Sequence, residues 1–378
     1  MVTKNNYSRK ICFSTNLSCN LNCVYCYEHK IKDDNLNFKY VEDNLVRILS
    51  EKTSNGTLIK LHGGEPFLVF NKLRKLCDFL WAQNFDEDFL FRMTTNGTLV
   101  HGEIQKWLIE NRNRVSLKLS LDGNKEAHNL NRPNSYDKID IPFFLSTWPN
   151  IELKMTISPG SLRLLCDSII HLHSIGFTNI STSFAELVDW SSCNYPIVLA
   201  EEMDRLSQFY LAHPDLNKCS LYNVPFRHIY NKNTLFHPCT VDVKEAYDFH
   251  TGKTYPCHLY FESVCGKKTS EELCNIDLTL EENRVSKKCK NCIFLNICHT
   301  CYVANYISRG ATYKRDEAHC MLNKVRYWKV AHFYFLWLVN GNKSMEKTIE
   351  DYQLYCDMVA INKLIPKFAE IERETNEF

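Results

Sequence analysis

Three cysteines stand close together as Cys19-Asn-Leu-Asn-Cys23-Val-Tyr-Cys26. Thiolates at this C-x3-C-x2-C spacing hold three irons of a [4Fe–4S] cube and leave the fourth iron open to chelate the amino and carboxylate groups of a small molecule. Zinc is the alternative for clustered thiolates, although zinc usually takes a fourth protein ligand. Further along stands His62-Gly63-Gly64-Glu65-Pro66, where paired glycines let backbone approach a ligand closely. Thr95-Asn96-Gly97-Thr98 follows, then Ser120-Leu121-Asp122-Gly123 and Arg132. Hydroxyls and a guanidinium suit a ribose and a carboxylate. Taken singly, each of these segments also reads as an ordinary turn.

A second set of thiols lies downstream: Cys239-x12-Gly252-x4-Cys257, then Cys289-x2-Cys292-x5-Cys298-x2-Cys301, then Cys320. The chain holds 18 cysteines in 378 residues. No apolar run of signal-peptide length follows the polar first residues, and the apolar stretch 333–339 is too short to span a bilayer, so a cytoplasmic protein is expected. Cytosolic thiols are kept reduced, which turns clustered cysteines into metal or Fe–S ligands rather than disulfides. A zinc ribbon is the competing reading of the C-x2-C pairs, and with it a non-catalytic zinc-binding scaffold. Cys12, Cys77, Cys166, Cys193, Cys219 and Cys356 are scattered and read as buried thiols.

These motifs need a scaffold. Short apolar or β-branched runs predict strands over 10–15, 57–61, 89–94, 115–121, 151–157 and 179–184, with helices between them over 41–50, 72–83, 103–110 and 162–175. Residues 124–150 are less clearly helical. Strand–helix alternation implies parallel strands with right-handed crossovers, and six units make a partial (β/α)6 barrel of the TIM type. Chemistry in such barrels sits at the C-terminal strand ends, where the motifs above fall. The α/β barrel is expected over 1–190, a helical bridge over 191–238, a small cysteine-rich Fe–S domain over 239–322 and C-terminal helices with an aromatic-rich face over 323–378. A metal-dependent fold suits the cysteine-rich part. Net charge is +1, with 45 basic and 44 acidic residues, so nothing in the balance calls for nucleic acid or an anionic membrane as partner.

The ordered series of strand-end motifs resembles the radical S-adenosylmethionine superfamily, and the later cysteines resemble its SPASM extension. The resemblance covers residues 10–322. It implies S-adenosyl-L-methionine and a [4Fe–4S] cluster on Cys19, Cys23 and Cys26, and a 5′-deoxyadenosyl radical that abstracts hydrogen from substrate. By the same resemblance Gly63, Gly64 and Glu65 meet the methionine amino group, Ser120 and Arg132 the ribose and carboxylate, with Asn96 beside them, and Tyr25 and Leu187 the adenine. Two auxiliary clusters are implied, one on Cys239, Cys257 and Cys301, the other on Cys289, Cys292, Cys298 and Cys320. Two departures stand out: only His299 and Thr300 separate Cys298 from Cys301 where the family has three residues, and the first auxiliary cluster has three obvious ligands. Cys265 or Cys274 could complete it, or its fourth iron is open, which is the reading favoured.

SPASM enzymes act on ribosomally made peptides or proteins and take electrons from flavodoxin- or ferredoxin-type donors. In sulfatase-maturing relatives an Asp follows the second SPASM cysteine, whereas His258 follows Cys257 here. A His serves as a base near neutral pH. Oxidative joining of an aromatic ring to a side-chain carbon, giving a cyclophane, is the expected activity. Thioether formation and sulfatase maturation are the alternatives. Candidate bases are His258 and Asp242, with Glu186 and Asp189 also in view. The few residues before the first strand leave peptide binding to the barrel edge, the helices after 320 or another protein.

Overall fold

The computed structural model describes residues 7–28, 38–191, 194–230, 239, 245–339, 360–361 and 370–375. In chain order its elements are β1 (Arg9–Asn16), α1 (Phe38–Leu49), β2 (Thr57–Gly63), α2 (Phe70–Ala82), β3 (Phe89–Thr95), α3 (Glu103–Glu110), β4 (Val115–Ser120), α4 (Lys125–Asn131), α5 (Ile141–Thr147), β5 (Glu152–Ile157), α6 (Leu165–Ser174), β6 (Asn179–Phe184) and α7 (Tyr195–Ala212). There follow β7 (Glu245–Asp248), β8 (Lys253–Tyr255), α8 (Glu262–Cys265), α9 (Lys267–Cys274), α10 (Lys287–Lys290), α11 (Tyr302–Arg309) and α12 (Glu317–Val339). The sheet order is β6-β5-β4-β3-β2-β1-β7-β8. The pairs β1–β2, β2–β3, β3–β4, β4–β5 and β1–β7 are parallel, and β7–β8 is an antiparallel hairpin. The α/β fold with six strands in sequential order matches the sequence expectation; the hairpin on the outer edge of β1 is an addition to it.

The chain divides into two compact units. The first takes 1–121, 132–154 and 241–277, the second 122–131, 155–240 and 278–378. In the first, β1 to β4 each turn one apolar face to the core, with the two-residue alternation of a pleated strand: Ile11 and Phe13, Ile59 and Leu61, Phe91 and Met93, Leu117 and Leu119 are all nearly inaccessible, while Cys12, Lys60, Arg92 and Lys118 between them are half-buried. α1 covers them with Val41, Leu45, Ile48 and Leu49, spaced for one helical stripe, and α2 with Leu73, Leu76, Cys77 and Leu80. Burying these two stripes against the sheet is what holds the strand ends in register. The segment between β4 and β5 forms two seven-residue helices rather than one. The second begins where Asp140 accepts from the Phe143 N–H.

The second unit is built on α7 and α12. Tyr210, Tyr222 and Phe333 interlock edge to face, with ring centroids 5.2 and 4.8 Å apart. Arg326 on α12 donates to the carbonyls of Ser220, Leu221 and Asn223, and Lys329 to Asp204 at 2.6 Å. Among the described residues no helix is long and apolar enough to cross a membrane.

Candidate cofactor site

The C-terminal end of β2 lies directly on the loop leaving β1. Gly64 N donates to Asn16 O at 2.8 Å and Glu65 N to Ser18 O at 2.9 Å. A Cβ on Gly64 would sit 1.7 Å from Ser18 O, so only glycine allows this approach. Gly63 adopts φ +117, a second position where a side chain would be strained. The buried Asn16 ties the two segments together by donating to the carbonyls of Ser18 and Glu65. The three-cysteine loop is thereby fixed by backbone.

Glu65 is buried under β3. Its Oε1 accepts from Thr95 Oγ1 at 2.7 Å and Phe67 N at 3.3 Å, and its Oε2 from Asn96 N at 2.8 Å. Burial pushes its carboxyl up to about 7, against these three donors and the Arg132 charge, all of which favour the carboxylate. Asn96 in turn donates to Asn20 Oδ1 at 2.9 Å, and its Nδ2 lies 3.9 Å from Cys19 Sγ. Arg132, 7% exposed, brings Nη1 to 3.8 Å from Cys23 Sγ and stands over the Tyr25 ring at 5.5 Å. A cavity of about 140 Å³ gathers Cys19, Cys23, Cys26, Tyr25, Gly63, Gly64, Glu65, Asn96, Ser120 and Arg132. Those are all the candidates that the sequence assigned to the first cluster and its ligand, except Leu187.

Three further polar residues line it, and His258 packs against two of them. Tyr27 Oη and His258 Nε2 are 3.1 Å apart, the His258 ring faces His62 at 3.9 Å between centroids, and His62 Nε2 lies 3.1 Å from Glu28 Oε1. Tyr27, Glu28 and His62 line the cavity. Sequence reasoning singled out His258 alone. The Tyr27 contact joins residues 231 positions apart, and no local pattern announces it.

The second unit holds another thiol site. Cys289, Cys292, Cys298 and Cys320 line a cavity of about 540 Å³. Burial pushes Cys298 up to about 12 and raises Cys292 and Cys320 as well. The three guanidinium nitrogens of Arg315, which also faces this cavity, are buried and have no hydrogen-bond partner among the described residues. Among the described residues no three Cys, His, Asp or Glu side chains converge on one point as a single metal ion would require.

Residues 14–140 match the profile of the Radical SAM superfamily. That match spans about a third of the chain. Among curated proteins, the cysteine-type anaerobic sulfatase-maturating enzyme of Clostridium perfringens is 36% identical over 124 residues, which is 30% of this chain and 32% of that one. An uncharacterised protein of Methanocaldococcus jannaschii is 26% identical over 170 residues, 43% of this chain and 58% of that one. The chain thus matches between about a third and three-fifths of the length of these relatives. Among solved structures, anSMEcpe with bound AdoMet superposes with a TM-score of 0.68 at 18% identity, covering 93% of this chain and 98% of that one. SuiB of Streptococcus suis bound to the precursor peptide SuiA gives 0.53 at 18% identity, covering 82% and 75%.

The strand-end site fits the cofactors that the Radical SAM superfamily implies. Three thiols line it, with a guanidinium beside Cys23 and a carboxamide beside Cys19, together with the strand-end residues Gly63, Gly64, Glu65 and Ser120. The four-cysteine cavity fits a thiolate-ligated metal group too. Buried thiols keep their protons unless a metal replaces them, and the orphaned Arg315 charge calls for an anion. The remaining candidates are placed as follows. Cys239 and Cys301 belong to the second unit and Cys257 to the first. Cys301 Sγ accepts from Ala304 N at the start of α11. Cys265 donates its S–H to the carbonyls of Tyr260 and Phe261 at 3.5 Å, and burial pushes it up to about 11. Leu187, in the second unit, is 39% exposed with φ +60. Glu186 lines the four-cysteine cavity, 3.6 Å from His319, and Asp189 is exposed and bound by the Ser191 N–H. Asp242, Cys193 and Cys356 lie outside the described residues.

Proposed function

We propose that this chain is a radical SAM/SPASM maturase that oxidatively joins side chains of a ribosomally made precursor peptide through a carbon–carbon link of the cyclophane type. The observation that carries the reading is the convergence of Cys19, Cys23 and Cys26 with Gly63, Gly64, Glu65, Asn96, Ser120 and Arg132 on one strand-end cavity. When bound there, a [4Fe–4S] cluster and S-adenosylmethionine supply a 5′-deoxyadenosyl radical able to abstract hydrogen from a substrate carbon. The chain's own residues bind and orient. Glu65 and the Gly63-Gly64 backbone meet the amino group, Arg132 the carboxylate, Ser120 the ribose, and Tyr25 and Leu187 the adenine. His258, held against His62 and Tyr27, is the residue we assign to accept the proton that ring closure releases. Asp242 is the second candidate. Cys289, Cys292, Cys298 and Cys320 are assigned to one auxiliary cluster and Cys239, Cys257 and Cys301 to another, within a SPASM region over 239–322. A flavodoxin- or ferredoxin-type protein is assigned as electron donor.

Sulfatase maturation is the second reading, favoured by the 36% identity to the Clostridium perfringens enzyme and the superposition on anSMEcpe. Mass spectrometry of a precursor peptide co-expressed with the chain separates the two. Loss of two hydrogens per crosslink with no peptide cysteine involved is the expected result. A formylglycine, or a thioether at a peptide cysteine, would overturn it. Iron analysis of the anaerobically reconstituted protein should return about twelve irons per chain, three cubes by the ligand sets above.

A further inference from the structure

Among the described residues, the four-cysteine cavity holds a buried guanidinium with no hydrogen-bond or ion-pair partner. Arg315, two residues before α12, turns its guanidinium toward Cys289, Cys292, Cys298 and Cys320, and all three of its nitrogens are buried without a partner among the described residues. The other cations around the cavity are committed or wet. Arg309 pairs with Asp316 at 2.7 Å, Lys288 with Glu317 at 3.5 Å and Lys324 with Glu374 at 2.6 Å, while Lys314 is exposed. A guanidinium kept only for packing would be paired, because a buried cation without a counter-charge is costly. Four thiolates around an Fe–S cube form an anion, and one added electron makes it more negative. The reduction potential of such a group follows its net charge, the hydrogen bonds to its sulfurs and its solvent exposure.

We propose that Arg315 sets the reduction potential of the cluster held by Cys289, Cys292, Cys298 and Cys320, by donating hydrogen bonds to its sulfurs and balancing the charge of the added electron. This rests on the reading that the cavity takes a redox-active Fe–S cluster, and the test separates the two. The reconstituted protein carrying Cys19→Ala, Cys23→Ala and Cys26→Ala retains only the auxiliary signals. Addition of Cys298→Ala identifies the signal of this cavity by its loss, together with about four irons. An anaerobic dithionite titration followed by electron paramagnetic resonance then compares Arg315 with Arg315→Gln and Arg315→Lys. The Gln variant should be about tenfold harder to reduce, a potential lower by about 59 mV for one electron, and Lys should fall between. Unchanged potential in Arg315→Gln at full iron content overturns the inference alone. No loss of iron in Cys298→Ala overturns the cluster reading, and the inference with it. If the Gln variant fails to hold its iron, the Lys variant decides: a smaller drop of the same sign supports the role, and an unchanged or raised potential refutes it.

Discussion

Glu65 makes stability depend on pH in a direction opposite to most carboxylates. A free carboxyl ionises near 4.5, whereas burial pushes this one up to about 7. Its neutral form is therefore favoured by folding. The stability this adds is fully present below pH 4.5 and is lost as pH rises through 7, reaching about 3.4 kcal/mol once both states are ionised. About 2.5 kcal/mol of that loss falls between pH 5 and pH 8. Glu65→Gln removes the titration while keeping one acceptor for Thr95 and Phe67. The new amide must turn a donor toward the Asn96 N–H, at a cost of about 1–3 kcal/mol that does not vary with pH. Urea unfolding of both proteins, followed by tryptophan fluorescence under anaerobic buffer, measures the difference. The gap between them should shift toward the variant by about 2.5 kcal/mol from pH 5 to pH 8. Parallel pH profiles would refute the reasoning, because they would mean that the carboxyl titrates alike folded and unfolded.

Other outcomes follow from the same geometry. Gly64→Ala should destabilise the protein by about 3 kcal/mol or more in urea unfolding and abolish S-adenosylmethionine binding by equilibrium dialysis, since its Cβ would meet Ser18 O at 1.7 Å. Cys265→Ala should leave the iron count unchanged, because the Cys265 thiol is already engaged as a donor to two carbonyls. A loss of iron would instead make it a ligand. His258→Gln should still form 5′-deoxyadenosine, read by liquid chromatography, while crosslinked peptide falls about 100-fold or more. Equal loss of both would move His258 from proton transfer to cofactor binding.

The six sequential strands were legible because each is a short run of apolar or β-branched residues, separated from the next by a helix-length stretch. The hairpin of β7 and β8 was not: strands of four and three residues are too short to show alternation, and they sit in a stretch dominated by cysteines. The two helices between β4 and β5 are too short for a period to stand out. Motif residues fell together because strand ends of a parallel sheet share one edge. The contacts of His258 with Tyr27 and His62 stayed hidden, since they depend on how β7, β8 and the turn after them fold back near β1. The sequence offers Glu186 as one of several candidate bases. Its surroundings, the cysteines of the larger cavity and His319, come from segments more than a hundred residues away, which no local pattern announces.

The pairing of β7 with β1 has a consequence for the order of events during synthesis. Asn16, which clamps the cysteine loop to Glu65, terminates β1, and the outer edge of that strand is covered by residues 245–247. Every side chain of the small cavity has left the ribosome once Lys154 has, but the strand beneath it keeps an open edge for roughly ninety residues more. At about 5–20 residues per second this is on the order of five to twenty seconds. Open edges recruit other chains. A fragment ending at residue 240 should accordingly pellet on centrifugation where the intact chain stays in solution, and iron loading of the nascent chain should await the hairpin.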